Sequence, residues 1–176
     1  MKNYLELKVP IKKDATWFVD LRNAMVAAGI PVKWQSGSFH ITAAFIYDDN
    51  HVEDLRAAFS KLLTDRKAPS LTLDKLDAFV TGIGGDIIVN ITASQPSESF
   101  AALVEELRHE VKNQNADFRS SFKLHITLGR IDAARVSLNE VKKILNSITI
   151  PDQSVSIKTA NYRYFRGKII QSWKMK

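Results

Sequence analysis

Two short stretches of the sequence place a threonine two residues after a histidine. One pair is His40 and Thr42, and the other is His125 and Thr127. Histidine titrates near neutral pH and can act as a general acid or a general base, while a hydroxyl can donate a hydrogen bond to an anionic oxygen. A pair of such combinations suits a reaction that moves two protons around a charged group.

Both stretches have the composition of buried or half-buried β-strands. Residues 39–45 and 124–130 are short, apolar and β-branched, and polar or charged residues flank them. Residues two apart in a strand face the same way. We therefore expect each His to share a face with its Thr, while Ile41 and Ile126 point to the opposite, packed face.

The composition is that of an ordinary globular protein. The chain has 176 residues, a net charge of +6 and no cysteine. The absence of cysteine excludes disulfides, thiolate zinc sites and cysteine nucleophiles. No apolar run reaches membrane-spanning length, and charges interrupt the N-terminus too early for a signal peptide. We expect a cytoplasmic monomer that does not contact membranes, and the basic charge favours an anionic partner.

The first half of the chain alternates predicted strands and helices. Gly29 is expected to end the first helix, and Asn50 to cap the second with Glu53 in a capping box. The predicted order is strand 4–9, helix 13–28, the first His strand to residue 47, helix 50–65, strand 70–80 and a turn at 81–85.

The second half repeats this order. Ser137 is expected to cap a helix, with Glu140 completing its capping box, and a hairpin is expected to turn at Arg166 and Gly167. The predicted order is strand 86–93, helix 97–115, the second His strand, the Ser137 helix, strand 154–165 and strand 168–174.

The repeated order predicts an internal duplication within one domain over residues 1–176. The approximate repeats are 3–80 and 86–174. We therefore predict an α+β fold with two pseudo-symmetric lobes, each a mainly antiparallel sheet flanked by helices. The two His-x-Thr strands would line a central cleft. A doubly wound parallel sheet is the structural alternative.

The two motifs resemble those of the two-histidine phosphoesterase superfamily, and in particular the bacterial RNA 2′,3′-cyclic phosphodiesterases, also called 2′-5′ RNA ligases. His40-Ile41-Thr42 with Phe45 is similar to the family pattern H-x-T-x-x-F, and residues 125–130 are similar to H-x-T-L-x-R. Trp34 lies upstream of the first motif, where family members often have an aromatic residue. Ala43 and Leu124 stand where the family usually has Leu and Pro.

The resemblance implies a cyclic phosphodiesterase that needs neither metal nor cofactor. Its partner would be RNA or a nucleotide with a 2′,3′-cyclic phosphate or a 2′-5′ linkage. Arg130 would contact phosphate or be a solvated loop residue, and Phe45 would stack on a base or belong to the core. The implied catalytic residues are His40, Thr42, His125 and Thr127, and the implied substrate-binding residues are Phe45 and Arg130.

One imidazole would act as base and the other as acid. We expect His125 to be the base, because the nearby cation Arg130 helps to keep an imidazole neutral. His40 would be the acid. The nearest basic residue before it in the sequence is Lys33, so we expect its imidazole to stay protonated more readily.

Two other functions are compatible with the sequence. The chain could be a non-catalytic RNA- or nucleotide-binding module that retains the cleft, or a purely structural protein. The aromatic and basic residues at 162–168 suit single-stranded RNA. They equally suit a hairpin with an apolar inner face and a cationic tip.

Overall fold

The computed structural model describes residues 2–82 and 85–176. Within them the chain is α+β, with four helices and ten strands in the order that follows. The elements are β1 (Asn3–Val9), α1 (Thr16–Ala27), β2 (Lys33–Trp34), β3 (Phe39–Ile46), α2 (Val52–Leu63), β4 (Ser70–Leu73), β5 (Lys75–Val80), β6 (Asp86–Thr92), α3 (Glu98–Asn113), β7 (Ile126–Asp132), α4 (Leu138–Ser147), β8 (Gln153–Ser156), β9 (Thr159–Tyr164) and β10 (Ile169–Lys174).

The strands form two four-stranded sheets and one small two-stranded sheet among the described residues. The first large sheet has the order β10-β9-β1-β3, and the second has the order β2-β7-β6-β5. Strands β4 and β8 form the small sheet. Every strand pairing given for these sheets is antiparallel. The antiparallel prediction is therefore confirmed, and the doubly wound alternative is wrong.

The two large sheets share an arrangement of three strands, with the fourth strand at opposite ends, and are consistent with two lobes. Strand β1 lies between β3 and β9, and β6 lies between β7 and β5. Two strands are exchanged between the halves of the chain. Strand β5 belongs to the first half but pairs with β6 of the second, and β9 belongs to the second half but pairs with β1 of the first. Each sheet is therefore completed by a strand from the other half of the sequence. The duplication itself remains a prediction.

The helices cover the sheets and bury the apolar faces. Helices α2 and α3 contact each other and pack against β10 and β3, while α4 contacts α1 and β5. Strand β1 shows the expected pattern, because Leu5, Leu7 and Val9 are buried in the core. Strand β3 of the first sheet contacts β7 of the second, so the two His strands lie together.

Two of the predicted helix boundaries have the expected chemistry. Gly29 follows α1 with a φ of 69°, and the amides of Gly29 and Ile30 bond to the carbonyls of Val26 and Met25. This is a Schellman ending, which favours glycine. Ser137 and Glu140 form the expected capping box at α4.

The predicted capping box of the second helix is wrong. Helix α2 begins at Val52 with His51 as its N-cap residue, and no side chain caps it. The Asp48 carboxylate accepts from the Asn50 amide at 3.2 Å, and this local turn keeps Asn50 outside the helix. Glu53 pairs instead with Arg56 at 2.5 Å.

Two long strands of the prediction are each divided. The range 70–80 contains β4 and β5, which belong to different sheets, and the range 154–165 contains most of β8 and all of β9. The Asp74 side chain accepts from the Ser94 amide at the first break, and the Ile157 amide donates to the Pro69 carbonyl at the second. The predicted turn at 81–85 lies partly outside the described residues. No helix of the described chain is long and apolar enough to cross a membrane.

Candidate active site

A β-bulge in β3 brings three of the predicted site residues to one face. Glu6 pairs with Thr42 and Leu5 pairs with Ala44, so Ala43 is an extra residue in the ladder. A bulge shifts the alternation of the side chains by one position. His40, Thr42 and Phe45 are accordingly half-buried, although Phe45 lies three residues after Thr42. The spacing of the first motif therefore places all three side chains on the same side of the strand.

Strand β7 has the same irregularity at the same point of its motif. Asn90 pairs with Thr127 and Val89 pairs with Gly129, which leaves Leu128 as the extra residue. The bulge puts Arg130 on the face of Thr127, while Leu128 is buried. The sequence predicted a strand from residue 124, with His125 as its second residue. The ladder with β6 begins at Ile126 instead, so His125 directly precedes the strand.

A small cavity lies where β3 approaches the segment that precedes β7. It has a volume of about 50 Å³ and brings together three predicted residues, Thr42, Phe45 and His125. Its other lining residues are cationic, aromatic or hydroxylic: Arg108, Arg119, Ser121, Phe122 and Lys123. The cavity therefore combines an imidazole, hydroxyls and cations, the groups that bind and process phosphate.

The ring of His125 is held by its immediate surroundings. Its Nδ1 lies 2.8 Å from the Lys123 carbonyl oxygen, and its ring meets Phe79 edge-on at a centroid distance of 5.1 Å. A carbonyl oxygen can only accept, so the Nδ1 atom must carry the proton of that bond. In the neutral ring, Nε2 is then the unprotonated nitrogen and can act as a base.

Burial lowers the pKa of His125 below its usual value. The hydrogen bond to the Lys123 carbonyl opposes this change, whereas the charges of Lys123, His40 and Arg130 lower the pKa further. His125 is thereby favoured in the neutral form that a base requires.

His40 has a different neighbour. Its Nδ1 lies 3.7 Å from Oε2 of Glu6, a carboxylate that is only 1% exposed. Burial lowers the pKa of His40 below its usual value, and Glu6 and a hydrogen bond with the Ser38 backbone oppose this change. Lys8 and Arg163 lower the pKa of His40 as well. Folding therefore brings two cations, from β1 and β9, to a histidine that has no basic residue close before it in the sequence.

Thr127 and Arg130 lie farther along β7. Thr127 is half-buried opposite Asn90. Arg130 is half-exposed, and its Nη1 lies 3.8 Å from Oδ2 of Asp86. It borders a separate cavity of about 520 Å³ together with Pro31, Val32, Lys33, Asp86, Ile131, Asp132 and Arg135. The roles predicted for Thr127 and Arg130 remain predictions.

Arg108 was not identified from the sequence, although it joins the two motifs. Its guanidinium donates to the carbonyl of Ala43, the bulged residue, at 3.0 Å. It also donates to the carbonyls of Arg119 at 3.0 Å and Ser120 at 2.6 Å, in the segment that leads to His125. In the sequence it is one of several charged residues on a helix, and no local signal distinguishes it.

Phe45 faces the cavity together with a second cation. The Arg119 guanidinium carbon lies 5.4 Å from the centre of the Phe45 ring, and the Arg119 amide donates to the Phe45 carbonyl at 2.9 Å. On the other side, Lys123 Nζ lies 3.7 Å from the centre of Phe79. Two aromatic–cation pairs therefore lie at the site. In each pair the ring is suited to stack on a nucleobase and the cation to contact a phosphate.

Solved structures of similar fold cover nearly the whole chain. The crystal structure of TT0787 of Thermus thermophilus matches with a TM-score of 0.69 and 15% identity, over 99% of this chain and 97% of that chain. Kluyveromyces marxianus Usb1 matches with a TM-score of 0.63 and 9% identity, over 98% and 97%. E. coli LigT complexed with 3′-AMP matches with a TM-score of 0.61 and 16% identity, over 100% and 99%. At these identities the likeness is one of fold.

The sequence itself gives the family assignment. No curated protein sequence matches the chain. The model of the 2′-5′ RNA ligase superfamily matches residues 32–160, which include both His-x-Thr motifs, Phe45 and Arg130. The match covers well over half of the 176 residues. The chain belongs to the 2′-5′ RNA ligase superfamily.

Proposed function

We propose that this protein is a metal-independent phosphodiesterase that acts on a 2′,3′-cyclic phosphate or a 2′-5′ linkage in RNA or a small nucleotide. The observation that carries the proposal is that the two motif strands meet: β3 of one sheet contacts β7 of the other, and one cavity is lined by Thr42 of the first motif and His125 of the second. An imidazole from each motif can supply the two proton transfers of a phosphodiester hydrolysis.

The reaction is an in-line displacement at phosphorus. Nε2 of His125 takes a proton from a water molecule as its oxygen forms a bond to phosphorus. The bond from phosphorus to one ribose oxygen breaks, and His40 gives its proton to that oxygen. The product is a phosphomonoester beside a free hydroxyl. His125 ends protonated and His40 neutral, and exchange with solvent restores the starting forms.

Charge develops on the non-bridging oxygens during this step. The hydroxyls of Thr42 and Thr127 would donate hydrogen bonds to these oxygens, as would Arg119 and Lys123 beside the cavity. Thr42 lines the cavity with His125 and both cations. Arg130 would act through its charge or on a more distant phosphate, since it borders the neighbouring cavity.

The fold relatives support a nucleotide substrate. E. coli LigT has been crystallised with 3′-AMP, with ATP and with NADP+. In this chain Phe45 and Phe79 would accept the base, each beside a cation that balances the phosphate charge.

The proposal is tested by hydrolysis of 2′,3′-cyclic nucleotides and of RNA with a cyclic phosphate end, in the presence of EDTA. We expect turnover by the wild type and its loss in His40→Ala and His125→Ala. His109→Ala is the matched control, because His109 is exposed on α3. Activity that appears only with added divalent metal would contradict the metal-independent mechanism. Tight nucleotide binding without turnover would instead identify a non-catalytic binding module.

A further inference from the structure

Glu6 is a buried carboxylate whose two oxygens have different surroundings. Oε1 accepts from Asn161 Nδ2 at 2.9 Å and lies 2.9 Å from Lys8 Nζ and 3.4 Å from Arg163 Nη1. Oε2 is buried without a hydrogen-bond partner in the described chain. It lies 3.7 Å from Nδ1 of His40. The three donors thus hold one oxygen, and the other is directed at the imidazole.

The second sheet has a neutral residue at the corresponding place. Glu6 is opposite Thr42 in the first ladder, and Asn90 is opposite Thr127 in the second. Each lies next to the β-bulge of its sheet, and each is 1% exposed. The Asn90 side chain donates to the Asp77 carbonyl at 2.9 Å. The two motifs therefore differ by one buried negative charge.

We propose that Glu6 is a positioning residue that makes His40 the general acid, and that the neutral Asn90 leaves His125 as the base. This inference rests on the proposed function. A carboxylate within about 4–6 Å stabilises the protonated imidazole. Its Oε2 lies on the Nδ1 side of the ring, so the Nε2 proton of the protonated imidazole remains available for donation.

The other groups around both rings agree with this assignment. His40 faces Tyr4, Glu6 and Lys8 of β1, Arg163 of β9 and, across the site, His125. Lys8 and Arg163 pair with Oε1 of Glu6. His125 faces Lys123, Arg130 and the neutral ring of Phe79. Within the described residues a carboxylate thus adjoins His40, whereas the charged groups that act on His125 are cationic.

The first test is an NMR titration of the free protein, which needs no substrate. In Glu6→Gln we expect the pKa of His40 to fall by about one unit, and that of His125 to change much less. In Lys8→Gln, at a partly exposed position, the pKa of His40 is expected to rise, because Glu6 loses a competing cation. His40→Gln and His125→Gln assign the signals. An unchanged pKa of His40 in both variants would overturn the inference.

The second test is the pH dependence of kcat/KM for a 2′,3′-cyclic nucleotide. Protonated His40 is required, so the alkaline limb of the profile should move to lower pH in Glu6→Gln and to higher pH in Lys8→Gln. The acidic limb, which reports His125, should stay in place. If Glu6 had only a structural role, Glu6→Gln would lower the rate at every pH without moving either limb of the profile. This result would overturn the role of Glu6 and leave the proposed function standing. Absence of turnover by the wild type would overturn the proposed function as well.

Discussion

His40 and His125 are the same residue in the same short motif, and their neighbours make them different. His125 donates its Nδ1 proton to a neutral carbonyl and lies among positive charges. His40 lies beside the carboxylate of Glu6. An imidazole among cations favours its neutral form, and an imidazole beside a carboxylate favours its protonated form. Burial lowers the pKa of both imidazoles, so the carboxylate of Glu6 is the feature that distinguishes His40, and the roles expected from the sequence remain predictions.

A substrate with a good leaving group tests these roles. His40→Ala should lower kcat for a cyclic nucleotide about 10²–10⁴-fold, the usual contribution of a general acid. With a p-nitrophenyl phosphodiester the loss should be largely abolished, because nitrophenolate leaves without a proton. His125→Ala should remain inactive on both substrates. The measurement is the ratio of kcat for the two substrates in each variant, with His109→Ala as the control.

Rescue of His125→Ala by the nitrophenyl substrate would reverse the assignment of acid and base. Rescue of neither variant would indicate that both histidines mainly bind the phosphate.

Strand β7 depends on a glycine within the second motif. Strand β2 lies directly against it, with Trp34 opposite Gly129. A Cβ atom on Gly129 would come within 2.6 Å of Val32 Cγ1 and 2.9 Å of Trp34 Cε3. These distances are shorter than ordinary van der Waals contacts. Glycine at this position therefore lets the edge strand approach the strand that follows His125.

Gly129→Ala should lower the free energy of unfolding by about 1–3 kcal/mol, as expected for overpacking. The matched control is Gly37→Ala, since the nearest atom to a Cβ there is Gln35 Nε2 at 3.8 Å. Urea denaturation of the two variants and the wild type provides the comparison. Equal stability of Gly129→Ala and Gly37→Ala would contradict the close approach of β2.

At the scale of the whole molecule, positive charge is concentrated at the C-terminal end. After Asp152 the sequence has no acidic residue and six basic ones: Lys158, Arg163, Arg166, Lys168, Lys174 and Lys176. The β9–β10 hairpin exposes Tyr164 and Phe165, each 44% exposed, and the Arg166 guanidinium carbon lies 5.2 Å from the Phe165 ring centre. Arg163 connects the hairpin turn to the site, because it donates to the Gly167 carbonyl and pairs with Glu6.

This surface should affect RNA more than a mononucleotide. In Phe165→Ala combined with Arg166→Gln and Lys168→Gln, we expect weaker binding of single-stranded RNA and unchanged kcat/KM for a cyclic mononucleotide. The dependence of log affinity on log salt should become shallower by about 0.7 for each lost phosphate contact. Fluorescence anisotropy at several salt concentrations measures this slope.

The control carries Arg56→Gln and Lys61→Gln, which remove two exposed charges of α2. If the control weakens RNA binding as much as the hairpin variant does, net charge alone accounts for the effect. The hairpin would then be only the structural turn that the sequence equally allowed.

The features that the sequence determined are those set by neighbours along the chain. The order of the four helices and of the strands between them follows from hydrophobic periodicity, apart from β2 and the two divided strands. The Ser137 cap and the β9–β10 turn follow from residues within a few positions of each other. The two His-x-Thr pairs with their later Phe and Arg were visible for the same reason. Asn50 was the exception, because a competing local turn at Asp48 displaced the helix start.

The tertiary structure decided what depends on which strands pair. The exchange of β5 and β9 between the sheets joins residues that are far apart in sequence, as does the contact of Arg108 with Ala43. The bulges decide which motif side chains share a face, and they exist only in the register between two strands. Glu6 has the alternation of a solvent-facing residue, and only the approach of β3 and β9 buries it beside His40. Long-range pairing of this kind leaves no periodic pattern in a single sequence, because its partners have no fixed separation along the chain.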